Sequence, residues 1–352
     1  MSARPVPSRA DRVRGAVFGL AFGDALAARA EFLSVAEICE RWPPAGPTEL
    51  ESPALITDDT QLAVVVTEAL TSALSARSVT VGRVEARLCA KLSEWFFSSD
   101  NTRSPGLTCL AAAARLSQGF EWRQSTIIHS KGCGANMRVP PVGLLSLSAI
   151  ETDDGAPLSI GALAQFQAAM THGHPTALAA SDLTAEAVRF LATGGEPDDL
   201  MSNLHTYADA QRVSYHEAWL GTLWEQQPAC DNGVQCIARG WAECERALDR
   251  IDAALATDDD GGDVCDRVGG GWIAEELLSA ALLAFLRHRT DPQAALRRAA
   301  VTRGDSDSIA AVAGALAGAH FGASAWPAAW YDRVEWRQRL DATCAAILSL
   351  DR

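Results

Sequence analysis

The sequence predicts a single all-α domain, and three observations support this prediction. Alanine and leucine are abundant, whereas tyrosine occurs only 3 times in 352 residues, a composition that favours helices over strands. Apolar residues recur at helical spacing along most of the chain, and no series of alternating strands is found. The stretches rich in glycine and proline are too short to link separate domains. We therefore expect one compact domain over residues 1–352, with a core at about 12–325 and a C-terminal helical segment at 326–352.

The helices are predicted one after another from the positions of their apolar residues. Behind Asp59, the spacing i, i+3, i+4, i+7 and i+8 gives one apolar helix face, made of Leu62, Val65, Val66, Ala69 and Leu70. The same periodicity predicts further helices at Val84–Phe97, Leu107–Leu116, Ser159–Ala169, Thr176–Leu191, Tyr215–Trp224, Cys236–Ala256, Ile273–Leu286, Pro292–Ala300, Ser308–Phe321 and Trp336–Leu350.

Charge and cysteine content narrow the class of protein. The net charge of −14 argues against non-specific nucleic-acid binding, which needs a basic surface. The nine cysteines are odd in number and form no CxxC pair, which argues against a zinc ribbon or a disulfide framework and favours reduced thiols in a cytoplasmic protein. The apolar run Gly15–Gly23 imitates a secretion signal, but Asp24 interrupts it. No apolar stretch approaches the roughly 20 residues of a membrane span.

The first candidate site is the turn Thr57-Asp58-Asp59-Thr60, which stands directly before a strongly apolar run. Helix capping explains it locally, with Asp58 as the N-cap and Gln61 closing an arrangement like a capping box. The alternative is that two adjacent carboxylates at the mouth of a buried helix bind a metal ion.

The second candidate site is the turn Gly304-Asp305-Ser306-Asp307-Ser308, which also opens a helix. Capping again suffices locally, but the helix behind this turn carries a face of very small residues, namely Ala310, Gly314, Ala317 and Gly318. Glycine inside a helix costs up to about 1 kcal/mol relative to alanine, so such a face suits a helix against which another backbone packs closely. We expect this helix at the centre of a tight bundle, with its acidic N-terminus fixed in space.

The two turns together suggest a metal centre. Each turn offers two carboxylates and a neighbouring hydroxyl, so convergence would place four carboxylates in one pocket and raise several of their pKa values. Divalent cations remove this conflict, and a ligand set made only of oxygen favours Mg²⁺, Mn²⁺ or Ca²⁺ over zinc. Two metal ions roughly 3.5–4 Å apart could clamp a phosphate or ribose and orient a water molecule. The residues by themselves leave both capping and metal binding open.

The order of these turns along the chain resembles that of the ADP-ribosylglycohydrolase family, an all-helical group that includes dinitrogenase reductase-activating glycohydrolases and ADP-ribosyl-acceptor hydrolases. Four further segments are similar to motifs of that family: GAVFGLAFGDALAARAEF at Gly15–Phe32, RSPGLTCLAA at Arg103–Ala112, SKGCGANMRVPPVGLL at Ser130–Leu145 and THGHPTALAA at Thr171–Ala180. The matches span roughly residues 15 to 322. The resemblance implies a compact orthogonal multi-helix domain with a central binuclear metal site.

Position by position, the resemblance implies ligands for two Mg²⁺ ions, or for Mn²⁺. These ligands are Thr57, Asp58, Asp59, Asp305, Asp307 and Ser308. Glu31 falls where the family has a mobile acidic flap, and Asp24 is expected to support the metal ligands. The resemblance also implies that Asp59 or Glu31 handles the proton, with both candidates open.

The substrate side of the site is implied by the loop Lys131–Arg138. Its glycines, Gly132 and Gly134, permit positive φ and close backbone approach, so that N–H groups can face a pyrophosphate. The loop residues expected to bind substrate are Gly132, Cys133, Gly134, Asn136, Met137 and Arg138. A structural salt bridge is an equal alternative for Arg138.

Three further residues complete the implied substrate side. His172 is expected either to bind ribose or phosphate or to stabilise its turn. Gly271 and Trp272 are expected to line the ribose or adenine side, with a buried core tryptophan as the alternative.

The reaction that the resemblance implies is hydrolysis of the glycosidic bond between ADP-ribose and an acceptor, first of all arginine on a protein. ADP-ribosyl-serine, O-acetyl-ADP-ribose and ADP-ribosylated nucleic acid are alternative substrates. A non-catalytic protein that binds ADP-ribose and a metal-dependent phosphohydrolase are alternative functions. One departure from the family pattern is Ala27-Ala28 after Leu26, where glycine is usual, and this bulk is expected to reshape the flap beside Glu31.

Overall fold

The computed structural model describes residues 6–228, 230–259 and 261–351. Within these ranges the chain forms α-helices joined by loops and short 3₁₀ helices, and its only strand-like pairings are three isolated bridges. The all-α prediction is thus confirmed. The helices are α1 Arg9–Ala27, α2 Val35–Arg41, α3 Asp58–Leu74, α4 Val81–Phe96, α5 Leu107–Ser117, α6 Trp122–Ser125, α7 Ile160–Ala169, α8 Pro175–Ala192, α9 Pro197–Gln211, α10 Glu217–Leu220, α11 Gly233–Leu255, α12 Cys265–Val268, α13 Ala274–Arg287, α14 Pro292–Ala300, α15 Ser306–Phe321, α16 Ala328–Arg333 and α17 Arg337–Leu348.

Helices α1 and α15 form an antiparallel pair in backbone contact at the centre of the molecule. A Cβ added to Gly19 would lie 2.2 Å from the carbonyl oxygen of Gly314, and one added to Gly318 would lie 1.9 Å from that of Gly15. Since no side chain fits at these positions, the small-residue face predicted for the helix after Asp307 is the surface on which α1 packs.

The antiparallel packing brings the last turn of α1 to the first turn of α15. Asp24 therefore lies beside the acidic turn that begins α15, and it also binds the start of α3. Its carboxylate accepts hydrogen bonds from the backbone N–H groups of Thr57, at 3.0 Å, and Thr60, at 3.2 Å, and from both hydroxyls. Three helix ends thus meet at one buried point.

The remaining helices surround this pair. α8 packs against α7, α11 and α15, while α13 and α14 cover another side of α15. The segment after 325 packs back on the molecule through α17, which contacts α1 and α3. There Arg339 pairs with Glu68 at 2.6 Å, and Trp330 lies fully buried against Phe22.

Most of the predicted helices agree with the structure, but one is wrong, and several observed helices were not predicted, among them α1 and α2. The helix predicted at Tyr215–Trp224 is wrong, since Gly221 has a φ of 53° and separates α10 from the 3₁₀ turn Leu223–Gln226. The sequence prediction also missed α9, although its buried Leu200, Leu204 and Ala208 recur every four residues.

The structure shows the state of the cysteines and the position of the apolar run near the N-terminus. All nine cysteines are free thiols. Among the described helices, none combines the length and apolarity that a membrane crossing requires. The run Gly15–Gly23 belongs to α1 and is buried against α15.

Candidate active site

The two acidic turns converge where α1, α3 and α15 meet. Ligand atoms of Glu31, Asp305 and Asp307 all lie within 4.8 Å of one another. Asp58 and Asp59 begin α3 and line the same cavity as these three residues. These five carboxyl groups line one cavity, and Asp24 is fully buried beside them, where burial and the charge of Asp307 raise its pKa. The cluster thus holds six carboxyl groups, two more than the four that the two acidic turns contain.

Helix capping does not account for the aspartates of the two turns. The N-cap of α3 is Thr57 and not Asp58, because the Thr57 hydroxyl accepts the N–H of Asp59 at 3.3 Å. Gln61 closes no capping box, since its side chain binds Asp100 and Trp95 instead. Asp305 occupies the N-cap position of α15, but its side chain makes no capping hydrogen bond.

Burial and mutual repulsion raise the pKa values of the cluster. The pKa of Asp24 rises to about 7, and those of Glu31 and Asp58 rise to about 8, first because burial disfavours the charged form and then because of the charge on Asp307. The pKa values of Asp59 and Asp305 lie well above their usual range for the same two reasons. The folded chain therefore holds protons, or a cation, in this pocket at neutral pH.

The donor set fits divalent metal ions. Within residues 6–228, 230–259 and 261–351, no salt bridge joins any of the six carboxylates to a lysine, arginine or histidine. Asp59 Oδ1 is buried and has no hydrogen-bond partner among the described residues. Hard oxygen donors without a cationic partner are the ligands that Mg²⁺ and Mn²⁺ prefer. Thr57 and Ser308 are buried beside them, and the Thr57 hydroxyl donates to Asp24 at 2.9 Å.

The acidic cluster opens into a cavity of about 450 Å³. Of the residues expected on the substrate side, the lining includes Gly132, Cys133, Gly134, Met137, His172 and Trp272. Gly132 and Gly134 have ordinary negative φ, so the expectation of positive φ is wrong. Packing explains one of the two glycines: a Cβ on Gly134 would lie 2.7 Å from the sulfur of Cys109, whereas one on Gly132 would lie 3.4 Å from Nε2 of His172, an ordinary contact distance.

The structure does not bring three of the predicted substrate residues to the cavity wall. Arg138 is fully buried, and its guanidinium donates to Gln167 and Thr171 at 2.7–2.9 Å. Both expectations for Arg138, a phosphate contact and a salt bridge, are therefore wrong, because its guanidinium donates to neutral acceptors. Asn136 donates to the carbonyl of Ala274, and Gly271 packs at a φ of 81° beside Ile309.

Two loop and turn residues have roles that the sequence did not reveal. The thiol of Cys133 donates to Asp305 at 2.9 Å, which ties the loop to the second acidic turn, while its N–H donates to the carbonyl of Trp272. His172 lines the cavity, and its Nδ1 contacts the hydroxyl of Thr171 at 2.7 Å. Burial lowers the pKa of His172 to about 3, so the ring is neutral and can offer one hydrogen bond but no charge.

An aromatic pair stands at the mouth of the cavity. The rings of Phe32 and Trp272 stack with centroids 5.5 Å apart and planes 12° from parallel. Trp272 is 42% exposed and Phe32 is 68% exposed, so the alternative of a buried core tryptophan is wrong. Phe32 also has a φ of 65°, a strained value for a bulky residue, directly after Glu31. The only sequence signal for Phe32 was its place at the end of the flap motif.

Comparison with known proteins gives the same family that the motifs suggested. The family model for ADP-ribosylglycohydrolase matches residues 5–352. The ADP-ribosylarginine hydrolase Tri1 of Pseudomonas putida is 23% identical over 94% of this chain and 76% of its own length. The ADP-ribosyl-[dinitrogen reductase] glycohydrolase of Rhodospirillum rubrum is 30% identical over 53% of this chain and 60% of its own length. A solved structure of an ADP-ribosylglycohydrolase-related protein complex superposes with a TM-score of 0.63 and 25% identity, covering 98% of this chain and 99% of the other. The chain belongs to the ADP-ribosylglycohydrolase family.

Proposed function

We propose that this protein is a metal-dependent hydrolase that cleaves the bond between ADP-ribose and an acceptor, with ADP-ribosyl-arginine on protein as its first substrate. One observation carries the proposal: a cluster of carboxylates without cationic partners forms the floor of a cavity of about 450 Å³. Membership of the family and the names of the arginine-hydrolase relatives support the choice of substrate.

The proposed metal ligands are Asp58, Asp59, Asp305 and Asp307, with the hydroxyls of Thr57 and Ser308. Glu31 joins this list from the structure, because its carboxylate lies within 4.8 Å of those of Asp305 and Asp307. When bound, two Mg²⁺ or Mn²⁺ ions would supply the positive charge that holds ribose hydroxyls and makes a nearby water more acidic.

The side chains of the acidic cluster supply the remaining chemistry. Glycoside cleavage passes through a transition state in which positive charge develops on the sugar, and nearby carboxylates stabilise that charge. Asp59 Oδ1 is free to accept a proton from the attacking water, because no described group occupies it. Glu31 is the second candidate for this role, since it stands at the cavity wall on the segment that follows α1.

The rest of the cavity orients the substrate. The loop around Gly134 is joined to Asp305 through Cys133 and packs against Cys109 and His172, so it can form a shaped wall for the pyrophosphate beside the acidic turns. The stacked pair of Phe32 and Trp272 is partly exposed and offers an aromatic surface against which the adenine base can pack. With the base at the mouth, the ribose to be cleaved would reach the carboxylates at the floor.

The test is to incubate the protein with an ADP-ribosyl-arginine peptide and an ADP-ribosyl-serine peptide, with Mg²⁺ or with EDTA, and to quantify free ADP-ribose. We expect Mg²⁺-dependent release from the arginine peptide, loss of that release in Asp307→Asn, and full retention in Asp252→Asn, a surface carboxylate paired with His205. Full activity of thoroughly chelated protein would contradict the metal-dependent mechanism. Release of AMP or phosphate would favour a phosphohydrolase, and binding of ADP-ribose without turnover would favour a binding protein.

A further inference from the structure

A second cavity adjoins the first on the other side of Glu31. It measures about 210 Å³, less than half of the 450 Å³ of the first cavity. Glu31 and Ser104 line both cavities and so form the junction between them. The lining of this second chamber also includes Ala28, Arg29, Trp42, Leu55 and Arg103.

The walls of the second chamber are largely apolar, and its cationic side chains already have partners. Arg29 pairs with Glu51 at 2.8 Å, and Arg103 donates to Glu335 at 2.9 Å. Glu31, at the junction, has no salt bridge to a cation among the described residues. The chamber therefore offers a mostly apolar passage that ends at the carboxylate of Glu31, which no cation among the described residues pairs with.

We propose that the second chamber is the acceptor site and takes the side chain of an ADP-ribosylated arginine. This inference rests on the proposed function. With ADP-ribose in the first cavity, the bond to be cleaved lies at the acidic turns, so the acceptor must leave that point away from the pyrophosphate loop. The junction formed by Glu31 and Ser104 is where the second chamber begins.

The chemistry of the chamber distinguishes arginine from a shorter acceptor. The three methylenes of an arginine can lie along the walls formed by Ala28, Leu55 and Trp42, with the guanidinium beside Glu31. A serine linkage has one methylene between the sugar oxygen and the peptide backbone. It would bring backbone N–H and C=O groups into an apolar passage, where leaving them unpaired costs free energy.

The strain at the junction supports a functional role for this wall. Ser104 has a φ of 49° and Phe32, beside Glu31, has a φ of 65°. Non-glycine residues held at positive φ cost free energy and cluster at ligand-binding sites. Both strained positions flank the passage between the two cavities.

The test separates acceptor binding from ADP-ribose binding. Ala28 is half-buried at the end of α1 with ordinary helical φ and ψ, so Ala28→Phe can fill the chamber without backbone strain. We expect the KM for the arginine peptide to rise at least tenfold, while the Kd of free ADP-ribose, measured by calorimetry, changes less than twofold. Ala253→Phe, at an exposed position of α11 outside both cavities, is the matched control and should behave like the wild type.

A second variant tests the charge preference. Leu55→Lys places a cation in the chamber and should raise the KM for the arginine peptide. The matched control is Val213→Lys, an exposed apolar position outside both cavities, which should leave that KM unchanged. Equal effects of Ala28→Phe on the peptide and on ADP-ribose, or no effect on either, would overturn the acceptor site. If the wild type releases no ADP-ribose, the proposed function fails by itself. In that case the uncleaved arginine peptide can be used as a ligand. If Ala28→Phe raises the Kd of the peptide but not the Kd of ADP-ribose, the acceptor site is supported; if both change equally, it is overturned.

Discussion

The backbone contact between α1 and α15 yields a sharp prediction for Gly314→Ala. A Cβ at this position would lie 2.0 Å from the carbonyl oxygen of Gly19 and 2.6 Å from its carbonyl carbon. Real Cβ atoms essentially never approach within 3.0 Å of such atoms, so the two helices must separate by about 1 Å. Both helices are buried and the obstacle is backbone, so no rotamer change relieves the clash.

The expected magnitude is the difference between two terms. Overpacking a core typically costs about 1–3 kcal/mol, and a rigid backbone on both sides favours the upper end. Replacing glycine by alanine within a helix returns up to about 1 kcal/mol. We therefore expect Gly314→Ala to lower the free energy of unfolding by about 2 kcal/mol. The shift also separates Asp24 from Asp307, so Mg²⁺ should stabilise the variant less than it stabilises the wild type.

The assay is urea unfolding followed by circular dichroism, with and without Mg²⁺. Gly82→Ala is the matched control, because this glycine lies in α4 with nothing within 4 Å of an added Cβ. It should stabilise the protein by about 0.4–1 kcal/mol. If Gly314→Ala proved as stable as Gly82→Ala, the helices would not be in backbone contact and the reasoning about the central pair would be wrong.

Three further predictions concern the site. Trp272→Ala should weaken ADP-ribose binding about two- to tenfold by calorimetry, because aromatic stacking contributes about 0.5–1.5 kcal/mol. Trp272→Phe should restore most of this affinity. Unchanged affinity in Trp272→Ala would mean that the ring only covers the mouth of the cavity. Asp24→Ala should lower the free energy of unfolding, measured by urea denaturation, by at least about 2 kcal/mol, because it leaves the buried N–H groups of Thr57 and Thr60 without an acceptor. A loss below about 0.5 kcal/mol would contradict this prediction. The pKa values of Asp24, Glu31 and Asp58 are raised to about 7–8, above their unfolded values. The chelated protein should therefore lose thermal stability as pH rises from about 5 to 8 and should recover it when Mg²⁺ is added. A Tm in EDTA that does not fall over this pH range would argue against the raised pKa values.

Part of the candidate site was predictable because it rests on local chemistry. Adjacent carboxylates at Asp58-Asp59 and the Asp305-Ser306-Asp307 turn stand out in the sequence without any knowledge of the fold. The resemblance to a family added Glu31 and the loop around Gly134. It also suggested a phosphate contact for Arg138, which the structure does not provide, because a buried arginine and a ligand-binding arginine look the same in a sequence.

The sequence by itself determined the helical class, most helix positions and the small-residue face of α15, since periodicity and residue size act over a few neighbouring positions. Only the tertiary structure decided that the acidic turns meet, because their convergence depends on how α1 and α15 align although about 280 residues separate them in the chain. It also decided that Cys133 binds Asp305, that Phe32 stacks on Trp272, and that a second chamber opens behind Glu31. Each of these contacts joins segments far apart in the chain, and their distances follow from packing rather than from spacing along the sequence.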